Sequence, residues 1–436
     1  MKKLFSKLAV LAIAVFMCFS FAGCNILTIY VPTDGNGENG NPGTSSTVTK
    51  PNVTDGMKTE TYGKTYKVSS VDFNFATKKG AETDKITATK KVYDSVVNVK
   101  AGMSSGSQLG SGTIIDLDVT YEDATLNNKP FLYILTCHHV INGSSDIVVY
   151  IPRDNTQTQE KGDYSYYDLG FGATIMGSDK DTDISILRIE INDEYKEKFG
   201  FGVSNYSEKI VKAQVANYEL TRGEDMFAIG CPTGSLPGTV SYGNVSNLYV
   251  EVNVSDVGEM ILHQTDAATN KGNSGGGIFN FAGQLIGVLN AGDPDYDGIS
   301  FFIPITGGEG VEKIANQLVT SVTNENYGYI EGRWKLGASF VSTEAGIYVT
   351  SIIKGSAIGN SEIQDKDYIF GVYYGDKSCS MKSLSEFDTF YKQMQKDLKI
   401  GDTVSIKHGY FDRGGFPRTM TTTVTLTQYI YSPTNG

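Results

Sequence analysis

Three short segments carry side chains that together could perform acyl transfer. The strongest is Thr265-Asp-Ala-Ala-Thr-Asn-Lys-Gly-Asn-Ser274-Gly-Gly-Gly. A serine hydroxyl is a poor nucleophile until a base removes its proton, and the acyl reaction needs donors for the developing oxyanion. A tight Gly-x-Ser-Gly turn exposes the Ser274 hydroxyl and aims backbone N–H groups, those of Gly272 and Ser274, at one point. On its own the same tetrapeptide is equally an ordinary glycine-rich turn. The second segment, Tyr133-Ile-Leu-Thr-Cys-His-His-Val-Ile, ends a strand-like run in two of the chain's four histidines, His138 and His139, the others being His263 and His408. An imidazole at a strand end can take a proton near neutral pH. The third, Asp181-Thr-Asp183-Ile-Ser-Ile-Leu-Arg-Ile, places acids just ahead of an alternating strand, where a buried carboxylate can fix an imidazole tautomer.

Each segment alone has a plainer reading: a surface turn, a surface histidine pair, a turn-forming aspartate. Together they run in the order His, Asp, Ser, which is the chain order of the chymotrypsin group and not of subtilisin or the α/β-hydrolases.

The elements that must position these groups read as mostly β. Short β-branched and aromatic runs, punctuated by Gly, Asn and Asp, fall at Val92–Val99, Gly112–Ile115, Phe131–Leu135, Asp146–Ile151, Ile184–Ile189, Met226–Ile229, Thr239–Val245, Gly277–Phe279, Gln284–Leu289 and Ile299–Ile303. Regularly spaced short strands predict a sandwich or a pair of barrels. Glu309–Val322 differs: Val311, Ile314, Ala315, Leu318 and Val319 recur at helical spacing, which predicts a helix at a domain junction. A second unit follows, with strands near Ala338–Val341, Ile347–Ile353, Tyr368–Tyr373, Thr403–His408 and Thr419–Leu426, and a helix over Ser383–Leu398. The segment from Asn290 to Gly298 has two readings, the rim of a cleft or an ordinary loop, and an ordinary loop is the default.

The chain has 436 residues with a formal net charge of −12 and no basic run, which argues against nucleic-acid or anionic-lipid binding. Lys2, Lys3 and Lys7 precede an apolar stretch from Leu8 to Ala22 that ends in Ala22-Gly23-Cys24. That is the layout of a secretory signal, and the stretch falls short of the roughly 20 residues a bilayer-spanning helix needs. Asn25 to about Lys64 is polar and rich in Gly, Asn and Thr, the composition of a flexible tether. Beyond Cys18 and Cys24 only Cys137, Cys231 and Cys379 remain, which allows at most one disulfide within the chain. No C-x-x-C or His/Cys cluster has metal-ligand spacing, so no metal is expected.

Ala22-Gly23-Cys24 also resembles the bacterial lipoprotein box, which implies cleavage before Cys24 and lipid on that residue. Leu135-Thr-Cys-His-His139-Val-Ile, Asp181-Thr-Asp183-Ile-Ser-Ile-Leu, Ala228-Ile-Gly-Cys-Pro-Thr-Gly and Gln264–Gly276 resemble the HtrA (Deg) serine proteases. The resemblance implies a chymotrypsin-like double six-stranded β-barrel with His139 as base, since the family histidine directly precedes Val. His138 is then a neighbour without a catalytic role. Asp183 takes the orienting position and Ser274 the nucleophile, with the Gly272 and Ser274 amides as oxyanion hole. Lys271 and Gly277 stand where proline is common in the family, and Cys137 and Cys231 where asparagine is frequent; none of these departures removes a triad member. Ala268 and Thr269 would floor a small, uncharged substrate pocket, which disfavours Lys or Arg at the cleaved position.

The C-terminal unit resembles a PDZ domain in Arg333-Trp-Lys335-Leu336-Gly337-Ala-Ser-Phe, Gly346–Ala357, Asp365–Val372 and Gly401–Ile406. Such a module captures a peptide C-terminus with backbone amides, here those of Lys335, Leu336 and Gly337, with Arg333 assisting electrostatically. The expected layout is therefore signal 1–23, tether 24–75, protease 76–322 and PDZ-like domain 327–430. The expected function is an extracytoplasmic, lipid-anchored endopeptidase without a cofactor, cleaving misfolded or unassembled envelope or secreted proteins, with unfolded or exposed C-terminal polypeptides as partners and a homotrimer as the assembly the resemblance implies. The rival reading is a catalytically idle peptide-binding chaperone or sensor.

Overall fold

The computed structural model describes residues 68–431 apart from 74–75, 77–78, 104–105, 116, 122–130, 145, 152–169, 191–210, 233–237, 255–256, 293–297, 307–309, 323–326 and 354–355. The expected signal, Cys24 and most of the expected tether lie outside the described residues. The tether was expected to reach residue 75. Its end is instead ordered: β1 (Val68–Phe73) pairs antiparallel with β4 (Leu117–Tyr121). Helix α1 (Lys85–Val92), not anticipated from its weak apolar pattern, starts on Asp84, whose carboxylate accepts the Ile86 and Thr87 amides.

The first unit is a closed barrel of β2 (Val96–Met103), β3 (Gly106–Ile115), β5 (Phe131–Cys137), β6 (Asp146–Tyr150), β7 (Gly170–Asp179) and β8 (Ile184–Glu190), in the order β2-β3-β5-β8-β7-β6. Apolar residues on both faces of β5 (Leu132, Tyr133, Ile134, Leu135) are buried, because one face fills the barrel and the other meets neighbouring structure. After β5 the chain turns at once into a one-turn helix, α2 (His138–Ile141), held in place by buried Val140 and Ile141.

The second sheet contains β9 (Gln214–Val215), β10 (Asp225–Gly230), β11 (Thr239–Val254), β12 (Gly258–Thr265), β13 (Gly277–Asn280), β14 (Gln284–Gly292) and β15 (Ser300–Pro304). It is seven-stranded rather than six-stranded, in the order β13-β10-β11-β12-β15-β14-β9, and β13 also pairs with β14. Phe227 and Phe279 stack in its interior with centroids 5.7 Å apart. Strand β11 runs well past the predicted Thr239–Val245, because it continues into a hairpin with β12 (Val254 opposite Gly258), whose Val254 and Met260 are buried in the core.

Helix α3 (Val311–Thr320) buries the expected stripe and packs on β7 and β8 of the first barrel. The remaining unit is a six-stranded sheet of β16 (Ala338–Thr343), β17 (Gly346–Ile352), β18 (Tyr368–Tyr374), β19 (Lys377–Cys379), β20 (Thr403–Phe411) and β21 (Pro417–Thr425), with helix α4 (Leu384–Asp397). It has its own core of Trp334, Ile347, Val349, Ile358, Met394, Val404 and Ile406. Among the described residues, strand β16 pairs only with β17, at the edge of the sheet beside α4. Among the described residues no helix is long and apolar enough to cross a membrane.

Candidate active site

The three chemistry-bearing segments meet between the barrel and the second sheet. His139 sits in α2 at the end of β5, and Asp183 in the turn from β7 to β8. His139 Nδ1 lies 2.7 Å from Asp183 Oδ2, and the His139 backbone N–H donates to Asp183 Oδ1 at 2.8 Å. The Asp183 carbonyl accepts the His138 amide at 3.0 Å, so one residue is tied three ways to the histidine pair. That register requires Asp183 to adopt φ 53°, a left-handed conformation that aspartate tolerates better than most residues. Asp183 is fully buried, whereas the His139 side chain is 18% exposed.

Asn290 joins this pair to Ser274. Its Nδ2 donates to Asp183 Oδ2 at 2.6 Å, and its backbone carbonyl accepts the Ser274 hydroxyl at 3.0 Å. Asn290 belongs to β14, not to the surface loop in which the sequence placed it; residues 293–297 of that stretch lie outside the described residues. An asparagine inside an otherwise apolar strand was the available signal.

The nucleophile turn is clamped by Ser111 of β3, a second residue the motifs did not single out. The Ser111 amide donates to the Ser274 carbonyl at 2.8 Å, its hydroxyl donates to the Gly272 carbonyl at 2.8 Å, and the same hydroxyl accepts the Cys231 amide at 2.8 Å. Gly110 and Gly112 flank it, and a glycine-bracketed serine within a strand is the pattern that permits such close approach. Gly272 and Gly275 carry φ of 101° and 86°, and a Cβ on Gly275 would lie 2.1 Å from the Ser111 carbonyl oxygen. These are positions that glycine alone fills without strain.

His138 is a core residue. It is buried, its Nδ1 lies 2.7 Å from Ser178 Oγ, its ring meets Tyr431 edge-on at 5.1 Å, and burial pushes its pKa down to about 4. Thr269 is bonded to Ser300 (Oγ1···Oγ 2.8 Å), and Ala268 beside it is exposed. Cys137, Cys231 and Cys379 are buried, and Cys137 and Cys231 are not disulfide-linked to each other. Cys137, directly before the histidines, is held well above the usual thiol range by burial and then by the charge of Asp183.

In the C-terminal unit, Gly337 has φ 79°, and the carbonyls of Leu336 and Gly337 accept the Ile358 and Ile353 amides at 2.9 and 2.8 Å. The side chains of Arg333 and Lys335 reach the other way. Arg333 contacts Asp179 at 3.0 Å and Asp181 at 3.1 Å, and Lys335 contacts Asp181 at 2.7 Å. Arg333 therefore serves the turn that carries Asp183, rather than standing free beside Gly337.

Residues 110–288, the stretch that holds His139, Asp183 and Ser274, match the family model of the trypsin-like peptidase domain. Among curated proteins, the chain is 30% identical over 295 residues to the serine protease Do-like HtrA of Bacillus subtilis, covering 63% of this chain and 57% of that protein. It is 28% identical over 311 residues to Do-like HtrB of the same organism (67% and 59%), and 33% identical over 291 residues to the chloroplastic protease Do-like 1 of Arabidopsis thaliana (63% and 57%). The chain thus spans less than two thirds of the length of these relatives. Among solved structures, an HtrA-type protease, AlgW with a tripeptide, overlays 81% of this chain and 99% of its own at a TM-score of 0.44 and 21% identity. The chain is therefore similar to a trypsin-like peptidase domain over residues 110–288, and over a longer stretch to serine proteases of the HtrA type.

Proposed function

We propose that this chain is an extracytoplasmic serine endopeptidase of unfolded or misfolded proteins, with Ser274 as nucleophile, His139 as general base and Asp183 as its orienting acid. The observation that carries the reading is the shared carboxylate: Asp183 receives both the His139 ring and the Asn290 amide, and Asn290 in turn holds the Ser274 hydroxyl. In the proposed reaction the Ser274 hydroxyl leaves the Asn290 carbonyl and attacks a peptide carbonyl as His139 accepts its proton. Asp183 keeps the ring proton on Nδ1 and stabilises the imidazolium. The Gly272 and Ser274 amides stabilise the oxyanion, and water then releases the acyl group. The positive φ of Gly272 and the Ser111 clamp on its carbonyl support that turn as the oxyanion hole.

The remaining assignments belong to the same proposal. Strands β10 to β15, joined end to end by the β13–β14 pairing, would be the second barrel, with β9 as an addition. Ala268 and Thr269, with Ser300 beside them, suit a small uncharged side chain. The C-terminal unit would act as a PDZ domain, adding a peptide strand to the edge of the sheet at β16 with the Lys335, Leu336 and Gly337 amides receiving its carboxylate. Cys24 would bear lipid that holds the protein at a membrane face, and the family resemblance suggests trimers. The test is cleavage of a reduced, unfolded protein by the full chain, with and without peptides ending in free apolar carboxylates. Cleavage abolished by Ser274→Ala supports the endopeptidase; peptide binding without any cleavage supports an idle peptide binder.

A further inference from the structure

Cys137 adjoins the catalytic cluster, yet acyl transfer has no use for a thiol there. Its Sγ, a His139 ring nitrogen and an Asp183 carboxylate oxygen all lie within 4.8 Å of one another. Thiolate, imidazole and carboxylate are together the donor set of zinc, at roughly 2.3, 2.0 and 2.0–2.2 Å. A tetrahedral ion sets such donors about 3.3–3.7 Å apart, so side-chain shifts of about 1 Å draw the sulfur in and open the His139–Asp183 contact. Charge favours filling: a dication balances one thiolate and one carboxylate, leaving the buried cluster neutral. Asn290 is an independent pointer. It is 2% exposed, its Nδ2 is on Asp183, and its Oδ1 has no hydrogen-bond partner, a buried oxygen donor beside the same carboxylate.

We propose that Cys137, His139 and Asp183 form an inhibitory site for a soft divalent cation, with zinc as its ligand, that silences the peptidase when filled. The inhibitory role rests on the triad reading above; the metal site does not. On filling, the Cys137 S–H bond breaks, its proton leaves to solvent and a metal–sulfur bond forms. Asp183 binds as the carboxylate it already is. His139 binds through Nδ1, and its single ring proton then sits on Nε2. No electrons are transferred. A ring protonated on Nε2 cannot accept the serine proton, so one ion removes both the base and its orienting hydrogen bond. The partly exposed edge of His139 gives the ion its way in.

The test is titration of the metal-free full chain with zinc chloride by calorimetry, alongside Ser274→Ala and Cys137→Ala, with cobalt(II) as a spectroscopic stand-in. One zinc per chain in the wild type and in Ser274→Ala, and binding weakened about tenfold or more in Cys137→Ala, are expected. A thiolate-to-cobalt charge-transfer band in the wild type is expected independently of any variant. Where cleavage is measured, the rate falls in step with zinc occupancy and returns with EDTA. Cys137→Ala, normalised to its own metal-free rate, then needs about tenfold more zinc. A chain that binds zinc as described but never cleaves would uphold the site and overturn the peptidase reading. No zinc site in the wild type, cobalt binding without a thiolate band, or equal affinity in Cys137→Ala would overturn the proposal.

Discussion

Asn290 and Asp183 are joined at 2.6 Å through the carboxylate oxygen that also faces His139 Nδ1 at 2.7 Å, while the Asn290 carbonyl holds the Ser274 hydroxyl at 3.0 Å. A side chain from the second sheet thereby fixes an acid carried by the first barrel. Without that amide a fully buried carboxylate loses a charge-assisted donor, an effect of roughly 1.5–3 kcal/mol. Asn290→Ala is expected to lower kcat about 10- to 100-fold with little change in KM. Asn290→Asp, which sets a second acid against Asp183, is expected to lower it further. Steady-state kinetics on a short peptide substrate separates kcat from KM.

Gly275 is where the nucleophile turn meets the barrel most closely. An alanine there would need a left-handed backbone and would bring its Cβ 2.1 Å from the Ser111 carbonyl, a main-chain atom that cannot turn aside. Gly275→Ala is expected to cost at least about 2 kcal/mol and to disable the turn. Gly332→Ala, at φ 83° with nothing within 4 Å, should cost only about 1 kcal/mol. Urea unfolding of both variants checks the difference.

His263 supplies a pH dependence remote from the site. It is 2% exposed, its ring packs edge-on against Tyr249 and Phe302, and its Nδ1 accepts the Tyr249 amide at 3.3 Å. Burial lowers its pKa below the ordinary 6.5, so the neutral ring is favoured in the folded chain. Below 6.5 the unfolded chain takes up this proton and the folded chain resists it, so stability falls as the medium is acidified through that range. His138, also buried and lowered, acts in the same direction. His263→Gln should lose its own share of this slope, read as a smaller stability difference between neutral and mildly acidic urea titrations.

Asp179 is 3% exposed, and burial raises its pKa against the opposing charge of Arg333 at 3.0 Å. Arg333→Ala leaves that carboxylate with less compensation and is expected to cost about 2–4 kcal/mol near neutral pH. A raised folded pKa penalises the ionised form, so the deficit should shrink as acidification protonates Asp179 in the folded state. Asp179→Asn in the Arg333→Ala background should recover part of the loss. Thermal unfolding of the single and double variants at two pH values measures both effects.

Much of this arrangement was legible in the sequence because it is local. The apolar strand into His138-His139, the acid ahead of Ile184 and the turn around Ser274 each announce themselves within a few residues, and their order named the class. The buried stripe from Val311 to Val319 needed only helical spacing. What escaped depends on distant partners. Asn290 looks like the start of a polar loop until β14 sets it against Asp183, and Ser111 looks like any strand serine until its hydroxyl meets Gly272 and Cys231. Strand β7 hid behind its glycines, and β1 behind the polar composition of the segment before it. Arg333 was misjudged because its partners, Asp179 and Asp181, belong to another unit.

The central claim is that Ser274 is made reactive by His139 and Asp183. Labelling with a fluorophosphonate probe tests it most directly, with the modified residue located by mass spectrometry. The account predicts one label per chain on Ser274, none in Ser274→Ala, and labelling slowed by about 10³-fold or more in His139→Ala. Undiminished labelling in His139→Ala, or a label on another residue, would contradict it.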